Sequence, residues 1–247
     1  MISPSSIRAV LFDFGGTLGY DCPSYQEGFA TLCTAMGYRL DRAGYYRASA
    51  AAEGTVPEAP REPTQWRAWR REFNAAILRE IGVPEADLPR IVDTIAERLR
   101  YYTRPYCYPE TGFVLRSLQR AGYTLGVISN IAPVLPLVLG ELGIDRYLDF
   151  AIASQAFGAE KPDQRIFEEG LRLAGVPAAS AMYVGDSIPA DVDGSRAVGM
   201  LPVLIDRAAT GARCEGALVV TNLTQTLDWL GVDVWGEPSL HDVVPSR

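Results

Sequence analysis

Six short apolar runs, rich in β-branched and aromatic residues, recur along the chain at residues 9–12, 124–129, 150–154, 181–184, 201–205 and 218–220. Helical periodicity fills the intervals between the last five. Apolar runs of this length alternating with amphipathic helices predict an open parallel α/β sheet whose strands are covered on both faces. More than a hundred residues separate the first run from the second. One crossover between parallel strands needs far fewer, and most of the interval reads as helix, so it must hold an inserted helical domain. The expected division is a core built from residues 1–18 and 107–247, with the insertion at 19–106.

Within the insertion, Ser24-Tyr-Gln-Glu27 has the form of a capping box and marks the start of a first helix. Trp66, Trp69, Phe73, Ile77 and Ile81 recur at three- and four-residue spacing. That stripe reads as the core of a small helix bundle, and Arg67, Arg70, Arg71 and Arg79 fall largely off it, on a solvated face. Residues 54–63, rich in Pro, Glu and Ala, are expected to form a loop, and 235–247 a loosely held tail. The apolar stretch 131–139, which contains Pro133 and Pro136, is too short to span a bilayer and reads as a buried helix.

Composition narrows the partners. A chain of 247 residues with 48% hydrophobic residues buries a full core. Its net charge of −7 argues against nucleic acid and anionic membranes, which need a cationic face; an anionic ligand must be small and held locally. The N-terminal residues do not read as an export signal. Cys22, Cys33, Cys107 and Cys214 show neither metal-type nor redox-type spacing, so free thiols in a reducing cytoplasm are expected. The single histidine, His241, lies in the tail. One residue stands apart: Lys161 is the only lysine among 23 Lys and Arg. Compositional drift toward arginine would leave such a count. So would a site where a compact ammonium must fit and a planar guanidinium cannot.

Ligands of open α/β sheets bind beyond the carboxyl ends of the strands, and the polar residues collect there. The first strand delivers Asp13 followed by Phe14-Gly15-Gly16-Thr17-Leu18, the second Ser129-Asn130, and the fourth Gly185-Asp186-Ser187 with Asp191 beyond; Lys161 follows the third. Two strand-end carboxylates beside an ammonium and a hydroxyl suit a Mg²⁺ and phosphate site, because hard cations take oxygen ligands and Mg²⁺ usually keeps one or two carboxylates plus substrate phosphate.

Taken in order, these segments resemble the four motifs of the haloacid dehalogenase (HAD) superfamily: Asp13-Phe-Gly-Gly-Thr-Leu18, Ser129-Asn130, Lys161-Pro162-Asp163, and Gly185-Asp186-Ser187 with Asp191 and Gly194. The resemblance covers the whole chain. It implies a Rossmann-like, doubly wound core with an α-helical cap inserted after the first motif. It implies a hydrolase, most simply a Mg²⁺-dependent phosphatase acting on a small phosphorylated metabolite. In that family pattern Asp13 is the nucleophile, forming an aspartyl phosphate. Ser129, the Asn130 amide and Thr17 hold phosphoryl oxygens, while Lys161 neutralises both Asp13 and phosphate. Mg²⁺ is held by Asp13, Asp186 and the Gly15 carbonyl, with Asp191 reaching it through water.

The chain departs from the family at Gly15, where phosphatases usually carry a second aspartate as acid and base. A carbonyl remains for the metal, but the side-chain acid/base, typically worth about 10²- to 10⁴-fold, is gone. Haloacid dehalogenases usually have tyrosine there and lack the Asp186 ligand, which disfavours dehalogenation. Phosphonoacetaldehyde hydrolysis needs a second lysine, and phosphomutases need the missing aspartate. Two expectations stay open: a phosphatase in which another group, such as Tyr20 or Asp21, or an activated leaving group compensates, and an impaired binding or regulatory protein that keeps the pocket.

Overall fold

The computed structural model describes residues 3–57, 60, 63–102 and 104–233; the tail with His241 and the side chain of Trp66 lie outside the described residues. Six strands form one parallel sheet: β1 (Ala9–Phe12), β4 (Thr124–Ser129), β5 (Phe150–Ala153), β6 (Ala181–Gly185), β7 (Leu201–Ile205) and β8 (Leu218–Val220). Their order is β5-β4-β1-β6-β7-β8, so β1 lies between β4 and β6 where the winding reverses. Each expected strand is present, with ends shifted by no more than one residue.

Alternation along the strands divides the interior into two faces. Val10 and Phe12 point into one layer with Leu125, Val127, Met182 and Val184, covered by α5 (Thr111–Arg120), α6 (Leu135–Glu141) and α10 (Thr224–Leu230). Ala9 and Leu11 point the other way with Ile128, Ile152 and Tyr183, under α8 (Gln164–Ala174). The sheet is therefore doubly wound. Short α7 (Ser154–Phe157) and α9 (Asp193–Ala197) complete the core helices, and a single π turn, Ile188–Val192, follows β6.

Among the described residues, four helices fill the insertion: α1 (Tyr25–Ala35), α2 (Arg42–Glu53), α3 (Pro63–Glu80) and α4 (Leu88–Tyr102). They have a hydrophobic core of their own, in which Phe73 and Ile77 are buried and Trp69 and Ile81 pack at its margin. Ser24 caps α1 with the reciprocal bonds of a capping box. The arginine face is only partly solvated: Arg71 pairs with Asp93 and Arg79 with Glu85, whereas Arg70 lies over the rings of Tyr25, Trp69 and Phe73.

Two features differ from expectation. The insertion is joined to the core by a two-stranded antiparallel ribbon, β2 (Gly19–Cys22) with β3 (Arg104–Cys107), whose mixed residues carry no apolar alternation to announce it. The stretch 131–139 is helical only from Leu135. Leu135 and Leu139 face the core, whereas Leu137 is 70% exposed. Pro136 fits because it falls in the first helical turn, where no amide partner is lost.

Ser24→Ala removes one acceptor of the capping box and should lower unfolding stability by about 1 kcal/mol, measured as a shift in the urea midpoint at unchanged slope. No shift would mean that the α1 terminus is held by its packing alone.

Candidate active site

The strand ends beside the winding reversal converge on one buried cluster. Asp13 follows β1, with its amide bonded to Val184 O at 2.9 Å. Ser129 ends β4 and its hydroxyl donates to Asp13 Oδ1 at 3.0 Å. The Lys161 ammonium donates to Asp13 Oδ1 at 2.7 Å, Asp191 Oδ1 at 2.5 Å and the Tyr183 hydroxyl at 3.0 Å. All three ammonium protons thus have acceptors, and the Lys161, Asp13 and Asp191 residues are each 6% exposed or less.

Each member is fixed from behind. The Asn130 amide group exchanges two hydrogen bonds with the Lys161 backbone, at 2.8 and 2.9 Å, and so ties the loop before α8 to the end of β4. Asp191 sits in the π turn, where its second oxygen accepts from the Ser187 amide at 3.0 Å. Tyr183 donates to Ile128 O at 2.9 Å, leaving its oxygen lone pairs toward Lys161. Single π turns of this kind commonly mark functional sites.

The electrostatics are those of a crowded acidic pocket. Burial raises the Asp13 carboxyl above its ordinary value; Lys161 opposes that shift and Asp191 adds to it. Burial pulls Lys161 down, but the charges of Asp13 and Asp191 more than reverse it, so the ammonium stays charged. Asp186 stands at the exposed mouth; partial desolvation and then repulsion from Asp13 and Asp191 push it up to about 6. Carboxylate oxygens of Asp13, Asp186 and Asp191 lie within 4.8 Å of one another. Three carboxylates against one ammonium leave two negative charges uncompensated, and a hard divalent cation with oxygen ligands fits that set.

The structure therefore brings Asp13, Ser129, Lys161, Asp186 and Asp191 together, with Asn130 one step behind. Thr17 is fully buried and, among the described residues, its hydroxyl has no hydrogen-bond partner, so no hydrogen bond ties it to the cluster. Tyr20 and Asp21 lie exposed on β2, and among the described residues neither bonds the cluster. Sequence reading missed Tyr183, which in an apolar strand looks like any core aromatic.

A family model for haloacid dehalogenase-like hydrolases matches residues 7–199. The chain belongs to this hydrolase family. It is 32% identical over 211 residues to human haloacid dehalogenase-like hydrolase domain-containing protein 3, covering 81% of this chain and 82% of that protein. It is 31% identical over 210 residues to the glyceraldehyde 3-phosphate phosphatase of Methanothermobacter thermautotrophicus, covering 83% and 88%. Its fold matches a HAD phosphatase from Thermococcus onnurineus with a TM-score of 0.64 at 26% identity, covering 92% and 99%. Solved structures of like fold include both HAD phosphatases and 2-haloacid dehalogenases, so the HAD fold by itself does not choose the chemistry.

Lys161→Met leaves two buried carboxylates without their cation and should lower unfolding free energy by about 3–5 kcal/mol. Lys161→Arg, which must fit a larger planar group into the same space, should lower it by about 1–3 kcal/mol. Urea titration checks both; wild-type stability in Lys161→Arg would show that the pocket does not select a compact cation.

Proposed function

We propose that this HAD hydrolase is a Mg²⁺-dependent phosphatase of small phosphorylated metabolites, working through an aspartyl phosphate on Asp13. The observation that carries the reading is the buried Lys161 ammonium held between Asp13 and Asp191, with Ser129 on the same Asp13 oxygen. Phosphoryl transfer asks mainly for positioning and for neutralisation of oxygens, and this arrangement supplies both. The phosphatase relatives, and the Asp186 carboxylate in place beside Asp13, favour phosphate over halide as the leaving chemistry.

In this reading an Asp13 carboxylate oxygen bonds to phosphorus as the ester P–O bond breaks, and the leaving oxygen departs with the electron pair. Ser129 and the Asn130 amide hold phosphoryl oxygens. Lys161 offsets repulsion between the carboxylate and the incoming phosphate. Asp13, Asp186 and the Gly15 carbonyl would hold Mg²⁺, with Asp191 acting through water. The bound ion supplies positive charge against the phosphoryl oxygens. Water then attacks phosphorus, releasing phosphate and regenerating the Asp13 carboxylate. Residues 19–106 act as the cap, and 1–18 with 107–247 as the catalytic core. The free cysteines accord with work in a reducing cytoplasm.

Gly15 decides which substrates suit the site. No side chain there protonates the leaving oxygen, so acyl or aryl phosphates, whose leaving groups are stable as anions, should turn over faster than alkyl esters. Loss of the base also slows attack of water on the aspartyl phosphate, so this second step should limit turnover for acyl and aryl phosphates, whereas departure of the unprotonated alkoxide should limit it for alkyl esters.

The first test is hydrolysis of a panel of small phosphate esters and acyl phosphates, with and without Mg²⁺, using Asp13→Asn as the blank. Release that needs both metal and Asp13 is expected; release no greater than the blank across a broad panel would turn the reading toward a binding protein. In a second test, Gly15→Asp should raise turnover of alkyl phosphates at least tenfold, toward the roughly 10²- to 10⁴-fold that acid/base catalysis supplies. An intact fold with unchanged turnover would show that another group already does this work.

A further inference from the structure

The loop that carries Asp13 into the cap is closed on itself at one end and clamped from outside at the other. Phe14 O accepts from the amides of Thr17, Leu18 and Gly19, and the Gly16 amide bonds Gly19 O at 2.8 Å. The next carbonyls turn outward. Leu18 O accepts from the Tyr108 amide at 3.1 Å and the Thr111 hydroxyl at 2.7 Å. Gly16 O and Thr17 O both accept from Arg207, which bonds Gly16 O through Nε at 3.0 Å and Thr17 O through its terminal nitrogen.

Arg207 lies just beyond β7, and its remaining edge is committed as well. Its other terminal nitrogen donates to Glu110 Oε1 at 2.9 Å, and the guanidinium carbon sits 3.3 Å above the centre of the Tyr108 ring. Both charged side chains are well shielded, at 16% and 12% exposure. Burial would raise the Glu110 carboxyl, but the hydrogen bond and charge of Arg207, together with backbone amides, hold it below its ordinary value. Tyr108 touches Tyr20 of β2 with ring centres 4.9 Å apart, and Tyr20 also stacks near Tyr106 of β3. One guanidinium thus spans the nucleophile loop, the segment returning from the insertion and the end of β7. On the far side of the loop, Gly16 lies against Asp186, so closely that a Cβ at Gly16 would fall 2.2 Å from its Oδ2.

We propose that Arg207 is a positioning residue for the nucleophile: it locks the 16–17 peptides between itself and Asp186, and through Tyr108 and Glu110 it joins that loop to the ribbon that carries the cap. The planar fork is what the geometry uses. Two carbonyls, one carboxylate and one ring face are engaged together, which a lysine ammonium, a point charge with rotatable donors, cannot reproduce. The activity consequences rest on the phosphatase reading; the structural consequence does not.

The test compares wild type, Arg207→Gln and Arg207→Lys in the full chain, with Arg172→Gln, an exposed pair on α8, as control. Two readouts are taken: Mg²⁺-supported hydrolysis of para-nitrophenyl phosphate and amide hydrogen exchange. The expected result is a fall in kcat of about 10²-fold for Arg207→Gln, the size that follows a misplacement of about 1 Å. KM should stay near wild type, Arg207→Lys should be intermediate, and exchange should quicken at residues 14–19 while the sheet stays protected. A thermal midpoint that falls while kcat of the folded protein and exchange at 14–19 hold at wild type would reduce Arg207 to a structural tether and overturn the proposal. A rise in KM alone would do the same. If wild type gives no Asp13-dependent hydrolysis, the phosphatase reading fails on its own account; exchange at 14–19 then decides the proposal, upheld by selective quickening and overturned by its absence.

Discussion

The buried ammonium of Lys161 holds together groups that would otherwise repel one another. Unit charges about 4 Å apart interact by roughly 4 kcal/mol even at an effective dielectric of 20, and Asp13 and Asp191 converge on one nitrogen inside a nearly closed pocket. Much of the surrounding structure serves that nitrogen. The sheet order puts β1 between β4 and β6, so the residues that follow them meet at one point. Asn130 grips the Lys161 backbone, Tyr183 accepts the third proton, and the π turn carries Asp191 back beneath the strand end. A single cation is still too few for three carboxylates. Burial first and repulsion between carboxylates second raise Asp13 and Asp186, and in the proposed reading a bound metal offsets the repulsion.

The strands were legible because buried parallel strands have to be continuous apolar runs, and the strand ends were legible because polar residues abruptly follow such runs. That criterion found Asp13, Ser129 and Asp186. Applied as strictly to the run at 201–205, it would also have flagged Asp206 and Arg207. Tyr183 left no signal of this kind: its ring packs against Phe167 in the core and only its hydroxyl reaches the site. The β2–β3 ribbon was hidden because its strands are short and largely exposed, so side-chain burial imposes no alternation on them. The helical insertion, by contrast, declared itself through length and periodicity, since a bundle with its own core must supply its own apolar stripe.

That separate core has a mechanical consequence. The insertion is packed around Phe29, Ile77, Ile91 and Ile95, whereas the sheet faces are packed around other residues. The two bodies are joined through a two-stranded ribbon, and displacement of one relative to the other falls on that ribbon. The Arg207 contacts bind its base to the loop that follows Asp13. In the proposed reading, where the insertion acts as a cap, its position and that of Asp13 are therefore coupled.

The glycines of the site separate requirement from choice. At Gly16 the backbone is left-handed and Asp186 occupies the place of a side chain; at Gly185 a Cβ would fall 2.3 Å from the Asp191 carboxyl carbon. Those two are glycine because nothing else fits. Gly15 is different: its backbone is not left-handed, and a Cβ built there meets nothing within 4 Å. A Cβ is accommodated there, so contact at that atom does not explain why the aspartate expected from the family resemblance is missing. In the proposed phosphatase reading, either the leaving group needs no acid or a proton reaches it by another route; in the alternative reading, a binding protein keeps the pocket and has lost the group that completes turnover.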